Sequence, residues 1–134
     1  MLDHLGACSC VIVWDKGRRG MDQADCEIAW TNLDGQSRIF DFKWNGMLQG
    51  DMRNKETRIH PTQKPVRLYE WLLKNYAHAG DRILDTHVGS ASSLIACWRG
   101  GYESWGFEID ETYYAMAKER LERETSQVRM WDLG

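Results

Sequence analysis

Proline is nearly absent from this 134-residue chain, which has only Pro61 and Pro65. Any motif that needs two adjacent prolines is therefore excluded from these residues. Long apolar runs are lacking too, and nothing approaches the ~18 consecutive residues of a membrane span. The start, Met1-Leu2-Asp3-His4, has no basic-then-apolar order of a signal peptide, so a cytoplasmic location (bacterial or phage-infected host) is expected. Positive charge is in short supply, with 17 Lys and Arg against 20 Asp and Glu and a formal net charge of −3. A surface that attracts polyanions everywhere is thus excluded, and any nucleic-acid contact has to be local. The four cysteines (Cys8, Cys10, Cys26, Cys97) come without a secretory signal and are expected as free thiols. Cys8, Cys10, Cys26 and His60 offer enough ligands for zinc, but no cysteine pair has the usual gap of about 2–4 residues, and no metal is expected.

What is present suffices for one domain with a core: 43% of residues are apolar and seven are Trp. Residues 1–45 suggest short strands. Ala7–Trp14 is apolar and β-branched, while Cys26–Thr31 and Arg38–Trp44 alternate, which predicts antiparallel hairpins. Cys8 and Cys10, two apart, fit one face of the first strand. Residues 46–64 have no periodicity and are rich in basic side chains, among them Arg53, Lys55 and Arg58. They suit either a solvated loop or a phosphate-contacting segment, with Arg67 just beyond.

From Pro65 the pattern turns helical. Pro65 suits a first helical turn, and Val66, Tyr69, Leu72, Leu73 and Tyr76 form an amphipathic stripe ending by Gly80. A strand at Asp81–Asp85, a helix at Ala91–Arg99, a strand at Glu103–Ile109 and a helix at Glu111–Arg123 follow, the last burying Tyr114, Ala117 and Leu121. Residues 65–124 thus hold a βαβ crossover, the mark of a parallel sheet covered by helices. Within it, Asp85 closes a strand, Gly89, Ser90 and Ala91 supply a loop without bulk, and Glu108 closes the next strand. An acid there can accept hydrogen bonds from both hydroxyls of a ribose, so the pattern suits an adenosine crevice. One loop glycine is too few for a dinucleotide fingerprint, and NAD is a poor fit.

His60-Pro61-Thr62-Gln63-Lys64-Pro65, followed by a helix, a strand and a D-x-x-x-G-S loop at Asp85–Ser90, resembles the permuted N6-adenine/N4-cytosine DNA methyltransferases, most closely the phage and prophage members. Val11–Lys16, Asp25–Trp30 and Gly106–Asp110 share in the resemblance. It implies an α/β, Rossmann-like S-adenosylmethionine-dependent methyltransferase fold, truncated, with a mixed sheet and an N-terminal antiparallel hairpin. It also implies a restriction-modification setting with DNA as partner. His60, Thr62 and Lys64 match the segment near the methionine end of the cofactor, and Asp85 and Thr86 open the loop, with Asp85 near the ammonium group. Gly89 and Ser90 run under the adenosine, Glu108 is the ribose ligand, and Ile109 lies against the adenine. Where the family most often has D-P-F-x-G-S-G, this chain has Ala91 in the last position, which would crowd the loop if a positive φ is required there. His87 is expected to pack or hydrogen-bond rather than catalyse.

The family places a [DNS]-P-P-[YFW] tetrapeptide at the transferable methyl, and in the permuted order it precedes everything seen here. With both prolines inside HPTQKP, no catalytic residue is assigned in these 134 residues. The expectation is a chain that carries the cofactor half and is inactive alone. The tetrapeptide's strand would lie beside the strand ending at Asp85, so that edge is expected to be repaired by the Val11–Trp14 hairpin, by a second copy in a homodimer, or by a complementing subunit. The competing reading is a non-catalytic DNA-binding or subunit-complementing module, with Arg53, Lys55, Arg58 and Arg67 on phosphates and a vestigial crevice.

Overall fold

The computed structural model describes residues 5–126, which divide between two compact units, Met1–Lys55 and Glu56–Gly134. In the first, β1 (Val11–Asp15) is the middle strand of three, between β2 (Cys26–Trp30) and β3 (Arg38–Asp41). Alternation decides its faces: Ile12 and Trp14 are buried, whereas Val13 opposes both Ile28 and Ile39, which stay 69% and 64% exposed. A small hairpin, β4 (Trp44–Asn45) and β5 (Leu48–Gln49), turns at Gly46, whose φ of 52° suits a residue without a Cβ. Trp14, Phe40, Phe42 and Trp44 form an aromatic chain, and the Trp14 indole N–H donates to the Phe42 carbonyl at 3.0 Å. Buried Arg18 donates through Nε to the Trp44 carbonyl at 2.7 Å.

The expected run of antiparallel hairpins is corrected in one respect. β2 is antiparallel to β1, but β3 pairs parallel to β1 on its far side. Each reversal of chain direction occurs as predicted; the third strand bypasses the second and joins the first. β1 therefore has both of its edges occupied, and the outer edges of this sheet belong to β2 and β3. Cys8 and Cys10 precede β1 instead of sharing a strand face.

The second unit contains α1 (Val66–Tyr76), β6 (Arg82–Asp85), α2 (Ser92–Gly100), β7 (Glu103–Gly106) and α3 (Glu111–Ser126). β6 and β7 are parallel, and α2, the crossover between them, packs on both strands and against α1 and α3. The core is Val66, Ile95 and Ala96, flanked by Tyr69, Leu73 and Leu121. α1 ends at Tyr76 rather than near Gly80, with the Ala77 N–H closing onto the Leu73 carbonyl at 3.0 Å. β7 ends at Gly106, not Ile109, so Glu108 sits two residues past the strand. Tyr114 is 54% exposed, a further correction: the inward stripe of α3 runs through Tyr113, Ala117, Arg120 and Leu121. Among the described residues no helix is long and apolar enough to cross a membrane.

Candidate functional site

The ends of β6 and β7 place the site. Beyond Asp85 the parallel ladder continues as Phe107 N–H to Asp85 carbonyl at 3.0 Å and Val88 N–H to Phe107 carbonyl at 2.9 Å. These two bonds hold the segments Thr86–Ala91 and Phe107–Asp110 side by side at the carboxyl end of the sheet, where α/β folds bind ligands. The approach is close at Gly106, where an added Cβ would sit 2.2 Å from a Val88 methyl.

Glu108 joins the two segments. One carboxylate oxygen accepts the Gly89 N–H at 2.9 Å and the other accepts the Asp110 N–H at 3.0 Å. The Asp110 N–H holds this carboxyl below the usual glutamate range; slight burial works against it, while the Gly89 N–H and nearby His60 add to the lowering. A carboxyl lowered on folding contributes order above its unfolded value and loses it as pH falls through the folded one. Amide exchange at Gly89, taken relative to the base-catalysed rate of an unprotected amide, should accordingly stay flat from neutral pH down to the ordinary carboxylate range and accelerate only below it. Acceleration already near pH 6 would assign control of the loop to a histidine instead.

Asp85 is likewise engaged by its own loop: one oxygen accepts the His87 N–H at 2.9 Å and the other the Ser93 hydroxyl. Thr86 pairs its hydroxyl with His87 Nδ1 at 2.9 Å, which gives His87 a hydrogen-bonding role. The His60 ring lies tilted against that of Tyr113, the first inward residue of α3, with centroids 4.2 Å apart, and within 3.8 Å of where a Gly89 Cβ would be. Its Nδ1 accepts the Thr62 N–H at 3.2 Å and lies 3.1 Å from the Thr62 hydroxyl. Buried Gln63 braces the same turn, accepting from Ile59 N–H at 2.9 Å and donating to the Thr57 carbonyl at 3.2 Å. The structure thus brings together His60, Thr62, Gly89, Ser90 and Glu108. Lys64 is half-buried, immediately before the buried Pro65.

The basic residues do not form one group within a unit. Arg53 and Lys55 belong to the first unit, Arg58 and Arg67 to the second. All four are exposed, and Arg67 lies 3.6 Å from Glu70.

Two features were decided only by the structure. Ala91 has φ +65°, the sole positive-φ residue other than glycine among those described, so the left-handed conformation raised as a condition is present. It costs an L-residue about 1–2 kcal/mol. The second is Arg120, 4% exposed, whose Nη1 donates to the Ser90 carbonyl and the Ser92 hydroxyl at 2.8 Å each and whose Nη2 donates to Glu56 at 2.8 Å. Glu56 in turn accepts the Val66 N–H, an otherwise orphaned donor of α1's first turn, at 2.8 Å. Burial raises the Glu56 carboxyl, opposed by that N–H and by Arg120. Buried hydrogen bonds to a charged group are worth about 1.5–3 kcal/mol, enough to offset the strain at Ala91.

A family model described as DNA methylase (N6_N4_Mtase) matches residues 13–119, most of the chain. The chain belongs to the N6/N4 DNA methylase family. The Type II methyltransferase M.HpaI of Haemophilus parainfluenzae is 41% identical over 71 residues, 53% of this chain and 23% of that protein. The Type II methyltransferase M2.DpnII of Streptococcus pneumoniae is 36% identical over 81 residues, 60% of this chain and 30% of that protein. The chain therefore spans less than a third of the length of these curated relatives. In structure it resembles the M1.HpyAVI–SAM complex (TM-score 0.57, 21% identity), covering 82% of this chain and 60% of that one. It also resembles a putative DNA modification methylase of Thermus thermophilus complexed with S-adenosyl-L-methionine (TM-score 0.56, 21% identity), covering 88% and 54%. This N6/N4 methylase relative therefore has the Rossmann-like methyltransferase fold, with a mixed sheet in its first unit and the parallel β6–β7 pair in its second.

Proposed function

We propose that this chain binds S-adenosylmethionine in the crevice between Thr86–Ala91 and Phe107–Asp110, and that it is the cofactor-binding part of a DNA amino-methyltransferase acting on N6 of adenine in preference to N4 of cytosine. The observation that carries this reading is Glu108. Both its oxygens are oriented by backbone N–H groups, its charge is favoured, and lone pairs remain for two ribose hydroxyls. Fully exposed Ile109 beside it offers an apolar face for a purine, and Gly89 leaves room over the loop. His60, Thr62 and Lys64 then serve the methionine end, with Lys64 as a point charge for the carboxylate and Asp85 and Thr86 toward the ammonium group. When bound, the cofactor supplies an electrophilic methyl on sulfur. These residues would bind and orient it, and no proline pair is available among them to hold a target base.

Arg53, Lys55, Arg58 and Arg67 are the candidates for phosphate contact, and the cytoplasm is the proposed location. A second proposal concerns partners. Leu84 and Trp105 oppose each other on β6 and β7 and are 60% and 46% exposed, whereas strands of parallel sheets are ordinarily covered on both faces. A further strand and its covering helix, from a second copy or a complementing polypeptide, would suit that edge and face.

Titration calorimetry with S-adenosylmethionine tests the main reading. Saturable heat with one site per chain is expected. No heat would leave the alternative, a DNA-binding or complementing module with a vestigial crevice; the αL strain at Ala91 is the observation that favours it.

A further inference from the structure

The loop Gly89–Ser92 is gripped from both sides of its backbone. On one side an anion, Glu108, takes the Gly89 N–H; on the other a cation, Arg120, takes the Ser90 carbonyl. The peptide joining Ser90 to Ala91 has an orientation set by φ of Ala91, here +65°. Turning Ala91 back to negative φ rotates that peptide plane, swings the Ser90 carbonyl away, and leaves a buried guanidinium short of an acceptor. Ser92, which opens α2, is held by the same Nη1, and its hydroxyl lies 3.1 Å from that of Ser90.

The guanidinium cannot drift, because its other nitrogen is seated on Glu56, and Glu56 is tied to the first N–H of α1. One planar group thus links three elements distant in sequence: the segment before HPTQKP, the α2 loop, and α3. Its fixed fork of donors suits that task, and an ammonium with one nitrogen does not.

We infer that Arg120, anchored by Glu56, is a positioning residue that holds the Ser90–Ala91 peptide in its left-handed turn and so presets the loop for S-adenosylmethionine. This rests on the cofactor reading above. Arg120 does not touch the cofactor; it acts through the loop. The strain it offsets is specific to Ala91, because glycine at that position adopts positive φ at no steric cost.

The coupling between Arg120 and residue 91 is therefore the test. In the full chain without ligand, amide exchange is measured by NMR at Gly89, Ala91 and Ser92 for wild type, Arg120→Lys, Ala91→Gly and the double variant, followed by calorimetry with S-adenosylmethionine. Arg120→Lys should speed exchange at these amides and weaken binding about tenfold, a typical size for coupled neighbours. Ala91→Gly should restore most of both losses in that background while changing the wild type by less than about twofold. Equal effects of Ala91→Gly in both backgrounds, or unaltered exchange in Arg120→Lys, overturn the inference. If Arg120→Lys does not fold, Glu56→Gln replaces it, because the glutamine keeps an acceptor for Val66 but loosens the anchor. Selective loosening of Gly89–Ser92 supports the inference, and uniform destabilisation of the whole unit overturns it. A wild type that gives no heat defeats the cofactor reading alone, because the exchange comparison still decides what Arg120 does.

Discussion

Replacing Glu108 by alanine should weaken S-adenosylmethionine binding roughly tenfold to a hundredfold, the largest effect expected of any side chain at the crevice. Two losses combine. The ribose hydroxyls lose a charged acceptor, and the Gly89 N–H loses the bond that ties the α2 loop to the segment after β7. The carboxylate is solvent-accessible, so water replaces part of what is lost and the upper end of the range is a ceiling. Glu108→Gln should fall between, since its amide can offer one oxygen but must turn an N–H₂ toward either the Gly89 or the Asp110 N–H. Calorimetry at neutral pH checks both, and an alanine variant that binds like the wild type would remove Glu108 from the site.

Ile95→Ala should cost about 2–5 kcal/mol of unfolding free energy, in the manner of large-to-small substitutions in a packed core. Ile95 is 0% exposed and lies among Val66, Ala96, Tyr69, Leu73 and Leu121, so no neighbouring solvent can fill the space left. A domain has on the order of 5–15 kcal/mol in total, so this one change removes a large fraction of it. The site would suffer with the core, because the Ile95 N–H closes the first turn of α2 onto the Ala91 carbonyl at 3.0 Å. Ile95→Val, which removes one methylene, should cost only about 0.5–1.5 kcal/mol. Urea denaturation measures both; a loss below about 1 kcal/mol for alanine would mean that Ile95 is not central to the packing.

Much of this was legible in the residue pattern because it depends on local rules. The stripe of α1 is set by the helical repeat, and Val66, Tyr69 and Leu73 all reach the core. The βαβ order follows from alternating periods, and the loop from a strand ending in an acid ahead of small residues. HPTQKP, the Asp85–Ser90 loop and Glu108 together pointed to the family whose model matches residues 13–119. Errors clustered where a local pattern leaves two choices. Tyr113 and Tyr114 are adjacent, and either satisfies an amphipathic stripe, but only Tyr113 meets His60. The third N-terminal strand reverses direction as expected, yet direction alone does not say which earlier strand it joins.

The sequence by itself determined the helix and strand order and the family, since each rests on short patterns whose residues lie within a few positions of one another. Tertiary structure alone decided what Arg120 does. In Lys118-Glu119-Arg120-Leu121-Glu122-Arg123 it is one charge in a run that resembles any solvated helix face. Only the fold brings it within 2.8 Å of Glu56, 64 residues earlier, and of the Ser90 carbonyl, 30 residues earlier. The same holds for Ala91, whose φ of +65° is set by the partners of the peptide before it and contradicts its intrinsic preference. Local propensity acts over a turn or two of chain; a buried guanidinium that must find acceptors acts across the whole unit, and here it outweighs the local preference.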